Sequence, residues 1–259
     1  MAHEVRDAAR LRFGALAFAA FCLASSATYI FNDLIDIEHD RAHRSKSRRP
    51  LSANEISGRA AGAIMVVCAL GSLALAWLIN RETLFGVALY LVLSTLYTLF
   101  IKRVLVADVI VLASFYSLRL LVGGAATSIV VSRWLLAFSS FLFVSLALCK
   151  RYGDLSRAQE AGRRYTTADR QVLLSLGTAA GMISVLVFAL YLNSPQVTKL
   201  YRNTDPLWLV CALLMYWIAR IWILADRGVI DDDPVVTAAT DPASYVVAAL
   251  AAAIVLISI

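Results

Sequence analysis

Residues 172–193 read VLLSLGTAAGMISVLVFALYLN, a stretch with no charged side chain. A helix needs about 20 residues to cross the apolar layer of a bilayer, so this stretch has spanning length. Seven more apolar segments lie on either side of it, at 12–31, 57–80, 84–101, 104–126, 133–150, 207–225 and 243–259. Across all 259 residues, 60% are apolar and 16% charged, whereas soluble domains carry about 25% charged residues. The fold expected is all-α, a polytopic transmembrane bundle of about eight helices. A soluble enzyme, a disordered chain and a β-barrel are excluded. The first segment runs straight into charged sequence with no small-residue cleavage pattern, so it reads as a retained helix and not as a signal peptide.

The formal net charge is +6. Fifteen of the 24 Lys and Arg fall on one side of the chain if the loop after the first segment is cytoplasmic. Seven fall on the other side, and Arg119 and Arg220 lie within segments. By the positive-inside rule the loops 32–56 and 151–171 are then cytoplasmic. The basic balance is thus a membrane signature, and no nucleic-acid partner is expected. Cys22, Cys68, Cys149 and Cys211 each lie in an apolar run, without metal-ligand spacing. No Pro- or Gly-rich linker interrupts the chain, so residues 1–259 read as a single integral domain.

Two constellations carry chemistry. The first segment ends in Asn32-Asp33-Leu34-Ile35-Asp36-Ile37-Glu38-His39-Asp40-Arg41. On a helix continuing through it, Asp36, Asp40 and Asp33 fall within about 100° of Asn32. Glu38 falls off that face. Like charges this close repel unless a cation offsets them. All-oxygen ligands at this density suit a hard ion such as Mg2+, which takes one or two carboxylates plus substrate phosphates. A solvated, charged helix end is the plainer alternative. The run Arg41–Arg49 follows, suited to an anionic ligand or to positive-inside anchoring. His39 and His43 are expected to pack or hydrogen-bond.

The fifth segment ends in Lys150-Arg151-Tyr152-Gly153-Asp154-Leu155-Ser156-Arg157. On a continuing helix Lys150, Asp154 and Arg157 share a face. One acid among cations is thereby expected at the membrane level of the first cluster. Arg119, inside the fourth segment, is costly there unless it faces a cavity or pairs with Asp108 or another acid. Arg220, near Trp217 and Trp222, reads as interfacial, and 226–234 as a charged loop.

Asn32-Asp33-x-x-Asp36-x-x-x-Asp40-Arg41, with the basic stretch ending in Arg49-Pro50, resembles the first signature of the UbiA superfamily of intramembrane prenyltransferases. The likeness spans essentially the whole chain. It implies nine transmembrane helices, with this signature closing the second. Here it closes the first of eight, so the chain reads as the family pattern without its first helix. Family members typically carry two acids four apart in the second signature, whereas here Asp154 stands among bases. That is similar to the decaprenyl-phosphate phosphoribosyltransferase branch. A related branch of unknown substrate, often with an N-terminal phosphatase-like domain, resembles the stretch Arg227–Pro234.

The resemblance implies a Mg2+-dependent transferase acting on a polyprenyl phosphate or diphosphate with loss of pyrophosphate. The transferred group is phosphoribosyl or, alternatively, prenyl onto an aromatic or other acceptor. Asn32, Asp33, Asp36 and Asp40 would hold the metal. Asp36, Asp40, Asp154 and Lys150 would be catalytic, and Arg44, Lys46, Arg49, Arg119, Arg151 and Tyr152 would contact substrate. The setting implied is a bacterial inner membrane, with the site on the cytoplasmic face. A transporter or lipid-binding protein is the rival from another class. Transporters show broken helices and repeats near the midplane. The sequence shows no clear repeat, and its acids lie at one face.

Overall fold

Hydrocarbon offers no hydrogen bonds to a backbone, so apolar runs of this length close their own N–H and C=O groups by coiling into helices. The computed structural model describes residues 7–42, 46–156, 165–195, 197, 200–230 and 234–258. The helices are α1 (Ala8–Ile35), α2 (Ile37–Ala42), α3 (Gly58–Trp77), α4 (Arg81–Leu99) and α5 (Ala107–Thr127). They continue with α6 (Arg133–Ser156), α7 (Arg170–Leu192), α8 (Trp208–Asp226), α9 (Pro234–Thr240) and α10 (Pro242–Ser258). Among the described residues there is no strand, and seven helices have the length and apolarity to cross a membrane. The protein is an integral membrane protein with the all-α fold expected.

The chain divides into two compact units, one of residues 2–102 and 118–131, the other of 103–117 and 132–259. In the first unit α1 packs on α3 and α4. The buried face of α1 is Ala17, Ala20, Ala24 and Ala27 with Phe21 among them; the four alanines let helices approach in a medium where hydrophobicity does not drive association. Gly86 of α4 lies against Val122, where an added Cβ would come within 2.3 Å of that side chain. Asn80 caps α4, accepting from Thr83 N–H at 2.7 Å, and donates to the Ala125 carbonyl at 2.9 Å.

The second unit is built on α6, α7 and α8. Gly177 and Gly181, four apart on α7, present a bare strip to their neighbours. A Cβ on Gly177 would lie 2.1 Å from the Trp222 ring, and one on Gly181 would lie 2.6 Å from Ile218. The Trp222 indole N–H donates to Ser145 Oγ at 3.0 Å, and Ser145 donates to the Gly177 carbonyl at 2.7 Å.

The C-terminal segment departs from the single straight span expected at 243–259. α9 and α10 together reach spanning length but meet at a 74° bend. Asp241 fills the break. Arg220 forks onto both its carboxylate oxygens at 2.6 and 3.0 Å, and Asp241 accepts from the Ser244 N–H at 3.0 Å. Arg220 therefore pins the break between α9 and α10.

Candidate functional site

The first signature starts on α1 and crosses a one-residue break. Asp36 leaves helical geometry and caps α1, its N–H bonding the Asn32 carbonyl at 2.9 Å; Asp40 N–H then bonds the Asp36 carbonyl at 2.8 Å. The expected continuous helix is thus interrupted, yet the four-residue ladder from Asn32 to Asp36 to Asp40 persists and keeps the three on one side.

The stretch after α2 returns Arg49 to this side. Ala53 N–H bonds the Arg49 carbonyl at 2.8 Å, and Asn54, in the left-handed region at φ 60°, takes Arg41 on its side-chain oxygen. Arg49 Nη1 bridges Asp33 Oδ1 at 2.6 Å and Asp40 Oδ2 at 2.8 Å. From the short turn after α4, Lys102 Nζ lies 2.6 and 2.8 Å from the two oxygens of Asp36 and 3.5 Å from the Asn32 amide oxygen. Such charge-assisted contacts are about twice as strong as neutral ones. Three carboxylates are laced to two cations, and each cation bears the donor geometry a phosphate oxygen would also satisfy.

Among the described residues, no three His, Cys, Asp or Glu are gathered into a ready-made metal cage. The donors nonetheless fit Mg2+, which needs one or two carboxylates and completes its shell with phosphate oxygens and water. Arg44 lies outside the described residues, as do the side chains of Lys46 and His39 and the acids Asp231–Asp233.

Lys102 is the residue the sequence reading missed. Its signal was its place, directly after an apolar segment and on the acids' side by the charge count. Arg119, expected beside the pyrophosphate, lies elsewhere. Its Nη2 donates to Tyr90 Oη at 3.0 Å and Ser25 Oγ at 3.2 Å, and its guanidinium stands 5.3 Å over the Tyr90 ring. Ser25 is eleven residues before Asp36 on α1, about 16 Å along the helix axis, beyond the reach of an arginine side chain.

In the second unit α6 carries the second signature. Arg151 is buried, its Nε 2.6 Å from Asp108 Oδ2 and its Nη1 3.2 Å from Asp154 Oδ2. Tyr165 donates to Asp108 Oδ1 at 2.9 Å and accepts from Val106 N–H at 2.8 Å. Burial first, and then the Asp108 carboxylate, push the Tyr165 hydroxyl up to about 12, so it stays protonated and donates. Tyr152, expected to contact substrate, is buried. It donates to Asp226 Oδ1 at 2.5 Å, Arg170 stacks 4.8 Å over its ring, and Trp222 meets it edge-on. Lys150 is half-buried beside Arg151.

The decisive comparison is a match of residues 1–236 to the UbiA prenyltransferase family. The chain belongs to the UbiA family. It is an integral membrane protein of that family, similar to its decaprenyl-phosphate phosphoribosyltransferase-like branch. It is 38% identical over 247 residues to the uncharacterized protein y4nM of Sinorhizobium fredii, covering 91% of this chain and 47% of that relative. This UbiA member therefore spans about half the length of that protein. It is 27% identical over 218 residues to the decaprenyl-phosphate phosphoribosyltransferase of Mycolicibacterium smegmatis, covering 82% of this chain and 69% of that enzyme. The UbiA homolog of Archaeoglobus fulgidus, solved with DMAPP and Mg2+, matches with a TM-score of 0.71 at 18% identity, over 95% of this chain and 88% of that one. At that identity the likeness establishes the shared fold.

Proposed function

We propose that this protein transfers phosphoribosyl from phosphoribosyl pyrophosphate to a polyprenyl phosphate, with both units forming one transferase domain. The observation that carries the reading is the acid content of the two signatures. Three carboxylates and an amide are interlaced with Arg49 and Lys102 in one unit, while a single acid, Asp154, stands in the other. Similarity to the mycobacterial phosphoribosyltransferase supports the same branch. Charge-rich loops on the positive-inside face support a site open to the cytoplasm, from which a soluble pyrophosphate donor arrives.

In the reaction the bond from the anomeric carbon to the pyrophosphate oxygen breaks, and the carbon bonds an oxygen of the lipid phosphate. Pyrophosphate leaves with the electron pair, and no proton needs to move. Mg2+, held by Asn32, Asp33, Asp36 and Asp40, would neutralise charge on the pyrophosphate. Arg49 and Lys102 turn from the carboxylates to the phosphate oxygens, where charge develops as the leaving group departs. Preorganised charge of this kind is usually the largest contribution to catalysis. Asp154 and Lys150 serve the second signature's share of substrate or metal. Arg119, at its depth, is assigned away from the pyrophosphate.

The prenyl alternative is favoured by one observation, that the Archaeoglobus homolog was solved with a prenyl diphosphate and Mg2+. A single assay separates the two readings. Purified protein in detergent receives labelled phosphoribosyl pyrophosphate with polyprenyl phosphate and, in parallel, prenyl diphosphate with aromatic acids. Label entering lipid, lost with EDTA and in Asp36→Asn/Asp40→Asn, is the expected result. Prenylation of the aromatic acid alone would overturn the phosphoribosyl reading, and full activity of the double variant would overturn the metal-cluster reading.

A further inference from the structure

Among the described residues of the second unit, the ion pair between Asp108 and Arg151 is the most deeply buried charge, with the two side chains 1% and 2% exposed. Burying two charges costs several kcal/mol per ion before their attraction is counted, and apolar residues of similar volume fill such a space as well or better. The pair is therefore poorly explained by stability.

Its geometry points to another use. Nε of Arg151 is clamped by Asp108 at 2.6 Å, whereas Nη1 meets Asp154 at the longer 3.2 Å. The guanidinium is planar and rigid, so fixing one edge fixes the direction in which the other edge points. Asp108 is itself fixed from its far side by the Tyr165 hydroxyl. The same hydroxyl holds Val106 N–H, and Val106 has φ 65°. A β-branched residue in the left-handed region is a strained exception, tolerated where surrounding contacts over-determine it. The strain stands at the turn that delivers Asp108 into α5. Asp154 is the half-buried end of this chain of contacts, 19% exposed.

We propose that Asp108, Arg151 and Tyr165 form a positioning triad that sets the carboxylate of Asp154, the lone acid of the second signature. Arg151 thereby changes role from substrate contact to positioning residue. Asp108 keeps the guanidinium from turning fully onto Asp154, and so sets where the Asp154 carboxylate stands. The inference rests on the reading above, that Asp154 serves metal or substrate.

The test is a double-mutant cycle on metal binding. Mn2+ is titrated into purified protein with inorganic pyrophosphate, free Mn2+ is read by electron paramagnetic resonance, and lipid transfer is assayed alongside. Asp154→Asn and Asp108→Asn should each weaken Mn2+ binding, by about 10- to 100-fold as typical for groups supporting a metal ligand. The double variant should be no worse than Asp154→Asn alone. Arg151→Lys, which cannot fork, should behave like Asp108→Asn. Tyr165→Phe, which removes only the hydroxyl, should give a smaller loss in the same direction and decides the matter if Asp108→Asn does not fold. If Asp154→Asn binds Mn2+ and turns over like wild type, the reading of Asp154 itself falls. If Asp154→Asn is impaired while Asp108→Asn and Tyr165→Phe match wild type, the triad alone falls. Losses that add in the double variant would likewise overturn it, because Asp108 would then act independently of Asp154.

Discussion

Lys102 puts an ammonium on both oxygens of Asp36, and on the proposed reading it transfers that charge to the leaving pyrophosphate. Replacing Lys102 by Met should lower the transfer rate about 100-fold or more, the usual cost of removing one preorganised donor at a developing anion. Lys102→Arg should recover part of it, as measured by lipid labelling at saturating donor. Tyr165 gives a prediction in pH. Its hydroxyl titrates near 10.0 when unfolded and is raised to about 12 in the fold. Below pH 10 both states hold the proton and the stabilisation is complete. Between the two values the unfolded chain loses its proton first, so stability falls as pH rises through that window. Thermal melting of the wild type should drop more steeply across pH 10–12 than that of Tyr165→Phe. At this scale the acids were legible, because Asn32, Asp33, Asp36 and Asp40 share one face by local spacing. Lys102 and Tyr165 were not, because their partners lie 66 and 57 residues away and no periodicity encodes such pairings.

Helix existence followed directly from the apolar runs, and seven of the eight segments stand as spanning helices. The bend between α9 and α10 was hidden because Ala- and Val-rich sequence surrounds Asp241-Pro242. The sequence does show the proline and the lone acid, but only the tertiary fork from Arg220 gives them their meaning. Arg220→Met should be destabilising, by about 1–3 kcal/mol, because it leaves the Asp241 carboxylate of a partly buried pair without its fork. Arg220→Met/Asp241→Asn should regain much of that loss; thermal unfolding in detergent compares the two. On α7, Gly177→Val should lower the melting temperature by about 5 °C or more, since an overpacked contact costs about 1–3 kcal/mol and each is worth about 2–4 °C at this size. The Trp222 ring, bonded to Ser145, has little freedom to withdraw. Gly62, with nothing within 4 Å of an added Cβ, is the control position, where Ala should leave melting unchanged.

Across the whole molecule, each unit carries one signature and supports it differently. The acids of the first are held by cations that approach from a returning loop and a neighbouring helix end. The acid of the second is held from within, through a buried pair. Composition and motif disclosed both signatures and the membrane fold, but not this contrast, which depends on burial. The first arrangement has a kinetic consequence. Among the described residues, Asp33, Asp36 and Asp40 carry three negative charges, and Arg49 and Lys102 return two positive ones, so a lone divalent ion meets carboxylates already largely offset. A pyrophosphate that arrives with its ion already chelated offers both partners at once, phosphate oxygens for the two side-chain cations and metal for the carboxylates. Turnover should then follow the concentration of the preformed magnesium–donor complex. Magnesium added beyond that stoichiometry should bring no further gain, which makes the order of arrival, rather than affinity for the free ion, the means by which such a protein would select its metal.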